Sequence, residues 1–265
     1  MLQMKYNFDR CCDVIWIPSM SRALLCLGGF LGLGLTAFAA DPAPTPQVNG
    51  PVFYQSMCSQ CHGAKGEGSE LIRAPSIAGR PAWYVERQLE NFRIGRRGMK
   101  KEDAQGSLMA AIAKVLHPAE MKAVAEVVSK FAFVPPTQTV ALKEPNIEEG
   151  RYLFMDRCAQ CHRFNGTGEM TFGSPPLVGL QDWYLLAQIN KFKTGWRGVD
   201  PTDPNGAKMQ LSSGYIESEQ AKHDVVAFIL SLNPKKEDTV SDSTSESLFS
   251  TAQGTESGAS QGATR

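Results

Sequence analysis

This 265-residue chain predicts an all-α fold made of two tandem helical domains of the same build. Three observations carry the expectation. The segment "CSQCHGAKGEG" at 58–68 returns one hundred positions later as "CAQCHRFNGTG" at 158–168. The register then holds without a gap from 50 to 109, pairing among others Pro75 with Pro175, Trp83 with Trp183, Tyr84 with Tyr184, Gln88 with Gln188 and Arg97 with Arg197. Finally, apolar residues recur at helical spacing in both halves, and no segment shows the period-two alternation of a strand. A self-similar period of this length reads as a duplicated domain of roughly 100 residues.

The elements follow in chain order. Lys5, Arg10 and Arg22 precede the apolar run "ALLCLGGFLGLGLTAFAA", which ends in small residues before "DPAPTP". That is the layout of an export signal, with cleavage expected after Ala39 or Ala40 and Met20 as a rival start to Met1. An uncleaved anchor is the competing reading, although the run falls slightly short of the roughly 20 residues that span a bilayer. Residues 41–140 and 141–234 are the expected domains, after a signal at 1–40 and before a Ser-rich tail at 235–265 with too little apolar content to fold.

Within each half, "GPVFYQSMCSQCH" and "EGRYLFMDRCAQCH" read as short helices delivering the cysteines, with Tyr54 and Phe154 one turn upstream facing the core. Next come "PAWYVERQLENFRIG" and "QDWYLLAQINKFKTG", each stopped by a glycine, Gly95 and Gly195. Final helices are expected near Pro118–Phe131 and Ser218–Leu232, where the match resumes with a shift of one residue. The stretch "PPTQTVALKEPN" between the halves reads as an extended linker stiffened by Pro135, Pro136 and Pro145.

Seven cysteines are present; Cys11, Cys12 and Cys26 lie in the expected signal, which leaves Cys58, Cys61, Cys158 and Cys161. All four sit in C-x-x-C-H motifs, the attachment signature of c-type haem. Two thiols per motif bond covalently to one porphyrin, which seats the adjacent His62 or His162 under the iron as its proximal ligand. A four-cysteine zinc site would want its two pairs roughly 15 to 20 residues apart. A thioredoxin-like pair would occur once, at a strand-to-helix junction. The expected cofactors are therefore two covalently attached haem c groups.

The sixth iron position is sought through the repeat. Met99, Met109 and Met121 follow His62 by 37, 47 and 59 residues, and Met170 and Met209 follow His162 by 8 and 47. Only Met109 and Met209 coincide, which selects them as axial ligands over the reading in which methionines merely fill a helix face.

With these residues in view, each half resembles a class I cytochrome c domain, and 47–234 resembles the dihaem cytochrome c4 family. The resemblance rests on the two C-x-x-C-H motifs, on "PSIAG" and "PPLVG", on the "WY…Q…F…G…RG" run and on one methionine per half. It implies two pseudo-twofold-related domains with facing haem propionates, and proline carbonyls, of Pro75 and Pro175, that fix the histidine rings. Arg163 departs from the pattern, standing where Gly63 stands in the first half.

Arg97 and Arg197 recur in register and are expected to pair with haem propionates or to close the domain interface. Trp83 and Trp183 are expected to pack, and His117 and His223 to lie on the surface. Bulk charge is balanced, 27 basic against 27 acidic residues, which offers nothing to nucleic acid. Locally, Arg93, Arg96, Lys100 and Lys101 cluster, the last three without basic counterparts in the second half, and form a candidate docking patch for an acidic redox partner.

The functional expectation is a periplasmic electron carrier, not an enzyme, with no small-molecule substrate. Its partners would be redox proteins, a donor dehydrogenase and a membrane respiratory complex or terminal oxidase. The alternatives are the electron-transfer subunit of a periplasmic dehydrogenase or respiratory complex, and a dihaem peroxidase, which would need one iron able to open.

Overall fold

The structure is a computed structural model that describes residues 47–234. The expected signal at 1–40 and the tail at 235–265 lie outside the described residues. In the first half, helix α1 (Gly50–Phe53) runs through a π turn (Tyr54–Cys58) into α2 (Ser59–His62), followed by α3 (Ala82–Arg93), α4 (Ala104–Lys114) and α5 (Pro118–Ser129). The second half repeats the order with α6 (Ile147–Arg157), α7 (Ala159–His162), α8 (Asp182–Lys193), α9 (Pro204–Gly214) and α10 (Glu219–Ser231). Among the described residues, β pairing is confined to two isolated bridges, Ser69 with Ala74 and Glu169 with Ser174.

Side-chain caps start several of these helices, and α6 begins three residues ahead of the register set by α1. Asn49 and Asn146 cap the first helix of each half, and Asp103 and Asp203 each accept from the backbone N–H of a glycine three residues on, both at 2.9 Å. Glu120 Oε2 reaches back to the N–H of His117 at 2.7 Å, half of a capping box before α5. The one-residue shift in the repeat sits in the turn before the last helix, whose N-cap is His117 in one half and Ser218 in the other.

In each half the first and last helices cross and carry the core. Tyr54 and Phe154 are buried as expected, Tyr54 edge-on to Phe131 and Phe154 against Phe228. The second half has the larger continuous core, in which Phe154, Val225, Val226 and Ile229 meet Leu185 and Ile189 of α8. Burial of such side chains contributes about 1.5–3 kcal/mol each.

Two expectations need correction. His223 is buried, because the linker folds over α10: Lys143 N–H points at His223 Nδ1 (3.4 Å) and Asn146 N–H donates to Asp224 at 2.8 Å. The linker is irregular as predicted, yet it is fastened along its length, with Asp182 Oδ2 accepting from Thr139 and Val140 N–H, both at 2.8 Å. Secondly, the four-cation patch is partly spent inside the molecule. Arg93 is forked onto Glu90, and Arg96 donates to Thr202 of the second half at 2.7 Å.

Arg163 holds φ 63° and ψ 158°, a conformation that Gly63 adopts at φ 81° and ψ 162° in the first half. This region is nearly reserved for glycine, and a side chain there costs on the order of 1–3 kcal/mol. The exposed Arg163–Glu169 ion pair offsets little of that. Arg163→Gly is therefore expected to stabilise the second half by about 1 kcal/mol, read as a higher denaturation midpoint. A lower midpoint would contradict the strain.

Candidate haem sites

Each C-x-x-C-H spans a helical break. The π turn or α6 ends at the first cysteine, and the short helix that follows carries the second cysteine and the histidine. All four cysteines are free and half-buried. Burial, reinforced by the neighbouring cysteine, pushes the Cys58 thiol up to about 11 and Cys158 up to about 12. Among the described residues no cluster of three or more His, Cys, Asp or Glu side chains could hold a metal ion, so the four-cysteine zinc reading falls.

The histidines are fixed identically. His62 Nδ1 lies 2.9 Å from Pro75 O and His162 Nδ1 lies 2.9 Å from Pro175 O. A carbonyl oxygen only accepts, so Nδ1 carries the proton and Nε2 presents a lone pair. Burial also pushes both imidazoles below the usual histidine range, against the opposing pull of the proline carbonyl. Neutral, oriented and with Nε2 bare, each ring has the form of a metal ligand.

The second half shows what Nε2 faces: Met209 Sδ, at 3.5 Å. Around that pair opens a cleft of about 1230 Å³, mouth included, floored by Cys158 and Cys161. Its walls are apolar, with Leu177, Leu185, Ile189, Phe192, Val225 and Ile229 among them. Two thiols at one edge, a bare imidazole nitrogen facing a thioether, and a greasy chamber fit a covalently held porphyrin. In the first half, Met109 holds the equivalent place on α4, half-buried against Leu89, Leu116 and Phe92, without a comparable contact to His62. The competing methionines are elsewhere: Met99 and Met170 are exposed, and Met121 lies in the α5 core.

Arg97 and Arg197 are both buried and meet across the interface between the halves. Arg97 donates to Gln88 (2.8 Å) and, across the interface, to Tyr184 (3.0 Å) and Gln188 (3.2 Å). Arg197 mirrors it, donating to Gln188 (2.6 Å) and across to Gln88 (3.1 Å). Each guanidinium also stacks on its own half's Phe92 or Phe192. Burial, together with the facing Arg97, pushes Arg197 down to about 10. Among the described residues neither arginine has a carboxylate within ion-pair distance. Two buried cations held only by amides and phenols are a site that wants anions, and porphyrin carboxylates are of that kind.

Sequence reasoning singled out the arginines but assigned no role to Tyr84, Gln88, Tyr184 and Gln188, although their repetition one turn apart on a helix was a usable signal. It missed the buried cross-interface pair of Lys191 Nζ with Asp103 Oδ1 (2.6 Å), because Lys191 has Asn91 as its repeat partner.

Comparison with known proteins agrees with this geometry. The sequence model of the cytochrome c family matches residues 47–130 and again 147–233. A thiosulfate dehydrogenase electron acceptor of Stutzerimonas stutzeri is 31% identical over 183 residues, covering 66% of this chain and 80% of that protein. Cytochrome c4 of Pseudomonas aeruginosa is 28% identical over 190 residues, covering 68% of this chain and 86% of that protein. Among solved structures, a cytochrome c4 of Acidithiobacillus ferrooxidans superposes with a TM-score of 0.53 at 26% identity, covering 67% of this chain and 99% of the other.

Proposed function

Because the chain belongs to the cytochrome c family, in its dihaem cytochrome c4-like branch, and carries two covalent haem c groups as an electron carrier, we propose the following division of labour among its residues. Cys58 and Cys61 hold one group and Cys158 and Cys161 the other. His62 with Met109, and His162 with Met209, would ligate the irons. When bound, the groups supply one-electron oxidation and reduction of iron. The chain's part is to hold ligand geometry constant, exclude water and keep the potential high, which methionine in the sixth position does.

The observation that carries this reading is the pair of atoms at the second site, His162 Nε2 facing Met209 Sδ while Pro175 O holds the opposite ring nitrogen. Pro75 and Pro175 keep each imidazole in the tautomer that ligates. Arg97 and Arg197, with Tyr84, Tyr184, Gln88 and Gln188, supply donors for propionates at the interface, where the two sites lie closest to a shared set of residues. The residues 41–140 and 141–234 are accordingly two electron-transfer domains.

Both iron sites being closed by methionine, the protein is a carrier and not an enzyme. Its location is the periplasm, reached through the signal at 1–40. Its donor is a periplasmic dehydrogenase and its acceptor a respiratory complex or terminal oxidase. The Stutzerimonas relative, an electron acceptor of thiosulfate dehydrogenase, favours the donor half of that scheme. Among the described residues no helix is long and apolar enough to cross a membrane. The test is intact mass with optical redox titration of the purified holoprotein. The expected result is two covalent haems, two one-electron steps and an iron–methionine charge-transfer band from both; a single haem, or one haem lacking the band, would overturn the reading.

A further inference from the structure

The two halves repeat, yet three of the arginines that cross between them do not. Arg80, Arg87 and Arg96 all reach from the first half into the second, and their repeat positions hold Leu180, Ala187 and Trp196. Two of these arginines close on one short loop. Arg87 Nη2 donates to Gly173 O at 2.5 Å, and Arg80 donates to Pro176 O (2.7 Å) and Val178 O (2.5 Å). Between those contacts lies Pro175, whose carbonyl holds His162.

Arg87 is held in turn. In the amide orientation that satisfies both groups, Asn205 accepts from Arg87 Nη1 at 3.0 Å and donates to Phe172 O at 3.2 Å. The guanidinium also lies 4.9 Å from the centre of the Trp83 ring. Arg80 is buried, and its Nε has no partner. The equivalent loop of the first half is gripped from across the interface by a neutral residue instead. Gln181 Oε1 accepts from Ser76 N–H at 2.9 Å, and Gln181 Nε2 donates to Glu67 O at 3.2 Å.

Arg87 lines the second cleft itself, alongside Arg157 and Lys208, with Asp203 as the acidic residue of that wall. The repeat counterparts of those three cations are Ala187, Met57 and Leu108. Arg157 is paired with Asp156, whereas among the described residues Arg87 is in no ion pair, feels Asp203 only beyond ion-pair distance and sits half-buried, where its field is less screened than at an exposed site.

We infer that Arg87, seconded by Arg80, is a cross-domain positioning residue that holds the His162-bearing site from the first domain and biases the shared electron toward the second haem. Two effects act in the same direction. A fixed positive charge at the cleft favours the form that has gained an electron. Guanidinium donors on the carbonyls flanking Pro175 pull density from the loop that accepts the His162 Nδ1 proton, which makes the imidazole a weaker donor to metal. The first site has the neutral Gln181 in the corresponding place, and among the described residues no guanidinium donates to the carbonyls of its proline loop. The residue thus acts on the haem of the domain it does not belong to.

This inference rests on the ligand assignment above, so the test reads ligation and potential separately. Arg87→Gln is introduced into the full holoprotein, and haem-methyl resonances report the oxidation of each haem through a redox titration. The charge-transfer band in the same samples reports whether His/Met ligation is retained. The electron-partition constant between the two haems is expected to fall on the order of tenfold, 59 mV for a one-electron couple, through the second haem alone and with both bands intact. Arg87→Lys, which keeps the charge and loses the fork, is expected to recover at least half of the shift. Glu86→Gln, an exposed neighbour on α3, is expected to leave the partition unchanged and controls for net charge. Equal shifts at both haems, a shift confined to the first, an unmoved partition, or Arg87→Lys behaving as Arg87→Gln would overturn the inference. Loss of a band in the unsubstituted protein would instead overturn the ligand assignment.

Discussion

Replacing Met209 by histidine is expected to lower the midpoint potential of one haem by a few tenths of a volt, inside the roughly 0.8 V range that axial ligands set, while the other haem keeps its potential. Histidine is a stronger donor than a thioether, so it favours the oxidised iron; methionine is the ligand that raises the potential. The geometry permits the swap, since Met209 projects from α9 to within 3.5 Å of His162 Nε2 and histidine is no bulkier than methionine. Half of the charge-transfer absorbance would disappear and a second, well-separated titration step would appear. Met170→His is the control, because Met170 is 65% exposed and lies outside the cleft wall. A titration of Met209→His that overlaid the unsubstituted curve would remove Met209 from the iron. Met109→His should do the same to the first haem, and that variant is the more searching one, because Met109 packs against Leu89, Leu116 and Phe92 without the contact to its histidine that Met209 makes.

What could be read in the sequence, and what could not, divides along the symmetry of the molecule. Much of what the duplication preserved stood out in the sequence as candidates: the cysteines and histidines, Pro75 and Pro175, the Met109 and Met209 pair, Arg97 and Arg197, whereas the equally repeated Tyr84, Gln88, Tyr184 and Gln188 drew no role. Duplicated domains repeat the contacts each makes with its own cofactor, so register acts as a filter for site residues. It is blind to contacts that break the symmetry. Arg80 and Arg87 drew no assignment because Leu180 and Ala187 gave them no echo, yet they hold the second site's proline loop. His223 was placed on the surface for the same reason, and the linker that covers it has no copy in the first half. The cation patch failed differently. Arg93 and Glu90 are three residues apart on one helix, so their pairing could have been anticipated from spacing, whereas the reach of Arg96 to Thr202 needed the interface.

Gly150→Ala is expected to cost about 3 kcal/mol, the upper end for overpacking, although alanine is the better helix former by roughly 1 kcal/mol. A Cβ at Gly150 would stand 2.0 Å from Asp224 O and 2.4 Å from Asp224 C. These are backbone atoms of α10, so no rotamer change can make room and the helices α6 and α10 must part. Parting them loosens the contacts of Phe154 with Phe228, Val225 and Ile229 that make the second half's core. Gly50→Ala at the matching crossing should cost less, because its Cβ would meet Ala123 O at 2.8 Å and the movable Val127 Cγ2 at 2.9 Å. Gly214→Ala should have the opposite sign, stabilising by about 1 kcal/mol, since nothing lies within 4 Å of a Cβ there. Denaturant unfolding of the three holoproteins would rank them, and Gly150→Ala within 0.5 kcal/mol of the unsubstituted protein would show the crossing to be misplaced. The consequence reaches past stability, because α6 ends at Cys158 and any shift of the helix moves that thiol relative to Cys161 and His162. Gly150→Ala should therefore also lower the fraction of chains carrying two haems, a loss visible by mass, while Gly214→Ala leaves haem occupancy complete.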